Sequence, residues 1–331
     1  MKAAVFEQFG EPAAVLRVRD VPAPAPGRGA VRVRMLASPI NPSDLLVIRG
    51  SYGKLPTLPA TPGFEGVGVV EENGGGFFGW RVLGKRVAVV TAGGGAWSEQ
   101  VVIPARQAFG MRVPDDIPDE QAATCFVNPA TALVMTRKVL RVPRGAWLLQ
   151  TAAGSALGRM VIRLGRHYGF RTINVVRRRE TAEELKALGA DAVINAAEES
   201  IEDCVRALTD GRGVAYAIDA VGGATGSAAV RALGPGGRLL VYGTLSNEPL
   251  CFESRVLMVG GKRVEGFWLS EWARRQGPFT MLALFSKIVR LLRAGVLTTA
   301  VAETYPLDEI AAAVRRAEEP GRTGKVLLRL S

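Results

Sequence analysis

Residues 1–118 carry short β-rich runs, Ala3–Phe6, Ala30–Leu36, Gly66–Val70, Arg86–Val90 and Glu99–Ile103, separated by Gly and Pro. Twelve of the 19 prolines lie in this stretch. Short strands with that punctuation predict an all-β, loop-rich domain, a small barrel. The texture changes near Asp119. Glu120–Leu140 has helical spacing, and strands and helices then alternate. The strands are Ala146–Gln150, Thr172–Val176, Ala192–Ile194, Val214–Asp219, Arg238–Tyr242 and Arg263–Trp268. The helices between them are Ser155–Tyr168, Ala182–Leu188, Ile201–Leu208 and Ala224–Leu233. That alternation predicts an α/β fold with a doubly wound parallel sheet, the dinucleotide-binding type. Apolar residues at Phe279, Leu282, Phe285, Ile288, Val289 and Leu292 give an amphipathic helix. Lys325–Leu330 reads as a strand returning to the first domain. The expected division is 1–125, 126–267 for the cofactor domain, and 268–331 back in the first domain.

At roughly 150 residues per domain, a chain of 331 residues holds about two. With 48% apolar and 22% charged residues, global disorder is excluded. Gly and Pro show no fixed period, which excludes collagen and solenoids. Cys125, Cys204 and Cys251 are scattered without a CxxC pair. They argue against a disulfide framework or a Cys-based zinc site, read as buried thiols, and fit a reducing compartment such as the cytoplasm. A single histidine, His167, removes His-pair catalysis and His-rich metal sites. It falls in the last turn of a predicted helix, where the dipole accounts for it. The net charge of +11 favours anionic partners: nucleic acid, a membrane surface or phosphorylated ligands. The N-terminus turns polar after six residues, unlike a signal peptide. No apolar run approaches the ~20 residues that span a bilayer.

The turn after the first strand of the alternating region reads Thr151-Ala152-Ala153-Gly154-Ser155-Ala156-Leu157-Gly158. Against GxGxxG only Gly158 is in register, and an ordinary glycine turn before a helix would read the same. The context points to phosphate. The turn leaves a strand and opens a helix, where backbone N–H groups and the helix dipole hold a pyrophosphate. NAD enzymes place an acid after the next strand, on the ribose 2′-OH. Here that strand ends in Arg177-Arg178-Arg179. Three guanidiniums in place of the acid call for a 2′-phosphate, so for NADPH over NADH. A solvated basic loop is the alternative.

Several segments resemble the zinc-independent branch of the medium-chain dehydrogenase/reductase superfamily. They are Ile40-Asn41-Pro42-Ser43-Asp44, Gly50-Ser51-Tyr52-Gly53, Gly63-Phe64-Glu65-Gly66, Asn128-Pro129-Ala130-Thr131-Ala132, Thr172–Arg177 and Gly266–Trp272. The chain is most similar to mitochondrial-type 2-enoyl thioester reductases, with quinone oxidoreductases as near relatives. The resemblance implies a GroES-like β-barrel catalytic domain, a Rossmann cofactor domain and a homodimer joined through edge strands of the latter. Where zinc members place a Cys and a His, this chain has Ser38 and Phe64, and the four-Cys lobe is missing. That ligand count contradicts a zinc-dependent alcohol dehydrogenase, so no metal is expected.

The reaction so implied is conjugate reduction, with NADPH as hydride donor and an enolate oxyanion to be stabilised. Tyr52 resembles the catalytic tyrosine of that family. A phenol titrates near about 10, so a hydrogen bond to the oxyanion, with water as final proton source, suits it better than acid catalysis; a packing tyrosine is the alternative. Asn41 would sit by nicotinamide and substrate, or be a simple Asn-Pro turn. Thr131 would contact the nicotinamide, or be a helix-start hydroxyl. Trp268 and Trp272 would line an acyl pocket, or be core aromatics. Lys325 would approach the cofactor phosphates, or be an exposed lysine before a strand. Ala153, Gly154, Ser155, Ala156, Leu157 and Gly158 form the phosphate turn. Tyr242, Gly243 and Phe267 complete the cofactor contacts that the resemblance implies. Arg159, Arg163 and Arg166 share one helix face, either solvated or a dock for an acidic acyl carrier protein.

Three functions compete. The leading one is NADPH-dependent reduction of trans-2-enoyl thioesters carried on CoA or acyl carrier protein. The second is NADPH:quinone oxidoreduction. The third is a non-catalytic basic protein on RNA or a membrane surface. Against it, the arginines are scattered and no module of stacking aromatics is evident. Neither nucleic acid nor membrane is therefore expected as a partner.

Overall fold

The computed structural model describes residues 1–331. They form two compact units, Met1–Val127 with Gly277–Ser331, and Asn128–Gln276. No helix is long and apolar enough to cross a membrane.

The first unit is organised around the ten-residue strand Ala30–Pro39. Its buried and half-buried residues alternate, so Val31, Val33 and Met35 turn inward while the arginines between them turn outward. Glu65–Asn73 pairs with one edge of this strand. Gln100–Pro104 pairs with residues 30–34, and Lys325–Arg329 with residues 37–39. Irregular register at Arg32/Val33 and Met35/Ala37 bends the strand so that it serves these partners in turn. The hydrogen-bonded path runs from Val301–Pro306 through Lys325–Arg329, Ala30–Pro39 and Glu65–Asn73 to Arg86–Val90. Gln100–Pro104 joins Ala30–Pro39 outside this path. Phe6, Leu16, Met35, Ile48 and Trp97 fill its core. Helix Ile310–Glu318 adds Ile310, Ala313, Val314 and Ala317, spaced to face one side.

The second unit is a six-stranded, wholly parallel sheet. Its order is Arg263–Gly266, Leu233–Val241, Val214–Asp219, Trp147–Gln150, Arg171–Val176, Ala192–Asn195. Residues 172–176 are buried without alternation, as in a strand covered on both faces. The expected strands and helices of this region are present, with ends shifted by a few residues. Glu120–Leu140 is the exception. It divides into Asp119–Ala123, Val127–Val134 and a π-helical turn Met135–Val139. Pro129 is tolerated only in a first turn, so a new helix must start just before it.

Helix Ala156–Tyr168 opens on Ser155, whose hydroxyl accepts from the Gly158 N–H at 3.0 Å. Gly158 packs directly on the preceding turn. A Cβ there would stand 2.5 Å from the Ala153 carbonyl oxygen and 2.6 Å from the Ala153 Cα. Gly158→Ala should therefore force helix and turn apart. A loss of about 1–3 kcal/mol is expected, measured by urea unfolding; an unchanged midpoint would contradict this packing.

Candidate active site

In the first unit the sequence buries a charged network. Asn41 caps helix Pro42–Ile48, with Pro42 at the first helical position, and Asp44 at the third returns a hydrogen bond. The Asp44 carboxylate accepts the Asn41 N–H at 2.7 Å and the Phe64 N–H at 3.0 Å. Next along the chain, Glu65 begins the strand Glu65–Asn73. Its carboxylate accepts from Asn41 Nδ2 at 3.1 Å and from the N–H groups of Phe126 and Val127 at 3.3 and 2.8 Å. Lys325 opens the last strand and donates from Nζ to Asn41 Oδ1. Only 4% of Lys325 is exposed, so the reading of an exposed lysine before a strand is corrected. Asn41 thus holds an ammonium on its oxygen and a carboxylate on its nitrogen, which fixes its amide orientation.

Desolvation sets the proton affinities here. Burial pushes Asp44 up to about 7, opposed by its backbone donors and by Lys325. Burial also raises Glu65, with Lys325 pulling the other way. Lys325 is brought down to about 8 by burial, against the two carboxylates. Cys125, buried close to Glu65, is pushed well above the ordinary thiol range.

Tyr52 lies in the loop after this helix, half-buried on the same core. Its ring centroid is 5.4 Å from that of Phe64, tilted by 39°. Phe64 donates its N–H to Asp44, so Tyr52 rests on a residue tied into the network.

In the second unit the strand order reverses between Trp147–Gln150 and Val214–Asp219, the topological switch point where such sheets bind ligands. The Thr151 hydroxyl bridges it, donating to Asp219 Oδ1 at 2.5 Å and accepting from the Ala220 N–H at 3.0 Å. Asp219 also accepts the N–H groups of Val221 and Gly222 at 3.0 and 2.9 Å. Ala153 is buried in the adjoining turn, and Gly154, Ser155 and Ala156 retain exposure at its rim. The first N–H groups of a helix have no partner within it. Ala156 and Leu157 are the first two residues of this helix and carry such groups.

Tyr242 stands just past Leu233–Val241, where its buried hydroxyl has no partner in the protein and burial raises its pKa. Gly243 presses on Ala220, whose oxygen would lie 2.9 Å from an added Cβ. The Phe267 N–H donates to the Val241 oxygen at 2.8 Å. Arg177, Arg178 and Arg179 are all exposed at the end of Arg171–Val176. Arg179 pairs with Glu198 at 3.3 Å, while Arg177 and Arg178 have no ion pair. Open helix N–H groups, an orphaned buried hydroxyl and two guanidiniums without carboxylates fit a phosphorylated dinucleotide.

The remaining sequence readings divide. Thr131 is buried within Val127–Val134 rather than at its start. Trp268 caps helix Leu269–Arg274 and is exposed, and Trp272 is half-buried; neither is a core aromatic. Arg159 pairs with Glu184 and donates to the Gly154 oxygen at 3.1 Å, so it braces the turn rather than a free face. Of the three thiols only Cys125 is buried; Cys204 is half-buried and Cys251 exposed. Asp219 and Thr151 were not anticipated, nor were the roles of Asp44 and Glu65. Asp44 had a local signal, the Asn41-x-x-Asp44 capping spacing.

The GroES-like domain family of alcohol dehydrogenases matches residues 27–115, and the zinc-binding dehydrogenase family matches residues 156–287. Human mitochondrial enoyl-[acyl-carrier-protein] reductase is 34% identical over 332 residues, 99% of this chain and 88% of that protein. The chain belongs to the medium-chain dehydrogenase/reductase superfamily. A Bacillus thuringiensis protein assigned as an NADPH:quinone reductase superposes with a TM-score of 0.93 at 34% identity, covering 100% of this chain and 99% of that one. Escherichia coli quinone oxidoreductase, solved with NADPH, gives 0.90 at 25% identity, covering 99% and 100%. No group of three or more His, Cys, Asp or Glu residues able to hold a metal occurs in the chain.

The buried network yields a prediction. Lys325→Met leaves Glu65 and Asp44 without their cation and should cost about 3–5 kcal/mol of stability. Adding Glu65→Gln should recover part of that loss. Urea midpoints of the three proteins measure this, and a drop too small to resolve in Lys325→Met would mean that its charge is not needed.

Proposed function

We propose that the chain reduces the α,β double bond of trans-2-enoyl thioesters, carried on CoA or acyl carrier protein. It is an NADPH-dependent oxidoreductase. The observation that carries the substrate class is the 34% identity to an enoyl-[acyl-carrier-protein] reductase along 99% of this chain. The close superposition on a protein assigned as a quinone reductase favours quinones as the second reading.

Ala153 to Gly158 cradle the pyrophosphate at the helix N-terminus, and Arg177 and Arg178 take the 2′-phosphate. Thr131, Tyr242, Gly243 and Phe267 bound the nicotinamide end. Bound NADPH supplies a hydride for the β-carbon. The Tyr52 hydroxyl donates to the thioester oxygen as negative charge builds there, and the α-carbon takes its proton from water. Asn41 presents an amide locked by Lys325 and Glu65, so it positions rather than titrates. Trp268 and Trp272 offer apolar surface to the acyl chain. Arg263–Gly266, the edge strand of the parallel sheet, is available to pair with a second copy in a homodimer.

Three measurements test this. Arg177→Glu should raise the NADPH KM about 10- to 100-fold, the worth of one or two charge-assisted hydrogen bonds, and leave that for NADH nearly unchanged. Equal effects would remove the 2′-phosphate assignment. Tyr52→Phe should cut turnover about 100-fold with NADPH affinity preserved; an unaltered rate would make Tyr52 a packing residue. NADPH oxidation with crotonyl-CoA beside a benzoquinone separates the two acceptors, and turnover of the quinone alone would overturn the thioester reading.

A further inference from the structure

One surface of the first unit is not used by the function above. Helix Phe77–Val82 follows three glycines and is seated by two small or apolar residues. Val82 is fully buried, and Gly79 lies so close to Asn73 that a Cβ would meet its Oδ1 at 2.0 Å. This seating turns the other side outward. Phe77 is 67% exposed, Trp80 66% and Leu83 48%.

The sequence on either side of these side chains carries basic residues over long stretches without an acid. No Asp or Glu occurs from Asn73 to Ser98 or from Gln100 to Pro114. Arg81, Lys85, Arg106 and Arg112 are exposed and form no ion pair. Their guanidiniums lie over rings instead: Arg81 over Trp80 at 5.9 Å, Arg106 over Phe78 at 5.4 Å, Arg112 over Phe109 at 4.9 Å. The rings of Phe78 and Phe109 are 5.2 Å apart, edge to face, which ties the helix to Ala105–Gly110. Cations with no carboxylate, set around protruding aromatic and aliphatic side chains, match a layer whose outer face is anionic and whose inner face is apolar.

We infer that this face docks the protein on an anionic phospholipid bilayer, with Phe77, Trp80 and Leu83 entering the headgroup boundary and Arg81, Lys85, Arg106 and Arg112 meeting lipid phosphates. The size of the patch argues for lipid over a protein partner. Two side chains on a six-residue helix and one just past its end offer far less than the ~800 Å² per partner of a stable protein interface. Peripheral insertion needs only a few such side chains together with basic residues. The attachment is reversible and salt-sensitive, because much of it is electrostatic.

The test is flotation of the full chain with two vesicle types, pure phosphatidylcholine and phosphatidylcholine with about 30 mol% phosphatidylserine. The protein should float with the anionic vesicles only and be released on raising NaCl from about 0.1 to 0.5 M. Phe77→Ser with Trp80→Ser, and separately Arg81→Glu with Lys85→Glu, should each weaken binding at least about tenfold. NADPH oxidation with a soluble acceptor should stay at its starting rate, which shows that the variants are folded. On binding, wild-type tryptophan emission should shift to the blue, and Trp80→Phe should lose that shift. Failure to float, flotation on both vesicle types alike, or equal binding by the variants would overturn the inference. So would loss of binding to an acidic carrier protein in the same variants with no vesicle binding by the wild type.

Discussion

Two carboxylates and one ammonium, all out of water, form the constraint around which the first unit is arranged. Asp44, Glu65 and Lys325 come from a helix, a central strand and the last strand, and Asn41 joins them. A buried charge without a partner costs several kcal/mol, so each of these elements must arrive in register for the others to be tolerated. Glu65 extends the constraint to the backbone of Phe126 and Val127, at the opening of the next helix. The position of Asn41, and through Phe64 that of Tyr52, follows from the need to satisfy those charges.

The fold was largely readable because periodicity is a local signal. Ile201–Leu208 and Val214–Asp219 stand where apolar spacing placed them, and Arg177 follows its strand as the pattern required. What escaped was non-local. Nothing near Lys325 announces that its ammonium reaches back to Asn41, and nothing near Glu65 announces donors from Phe126 and Val127. Thr151 and Asp219 meet only because the sheet sets their strands side by side. Helix Pro42–Ile48 and strand Val301–Pro306 were also missed, the first hidden in a motif that reads as an Asn-Pro turn. The continuous helix read over Glu120–Leu140 failed for the opposite reason: spacing alone ignores the backbone demands of Pro129.

Membership in a reductase superfamily narrows the chemistry more than the substrate. Thioester and quinone both accept a hydride and both present an oxygen that gains charge, so one arrangement of donors serves either. Discrimination then rests with groups that hold the remainder of the substrate, a role proposed above for Trp268 and Trp272. Those residues are exposed or half-buried on a short helix, where substitution costs the core little. The chain is accordingly similar both to an enoyl-[acyl-carrier-protein] reductase and to a protein assigned as a quinone reductase.

The strand Lys325–Arg329 lies inside the sheet of the first unit, between Val301–Pro306 and Ala30–Pro39. On a translating ribosome, residues 128–276 are complete and contiguous while this inner strand is still unmade. Asp44 and Glu65 therefore lack their cation until Lys325 has been made.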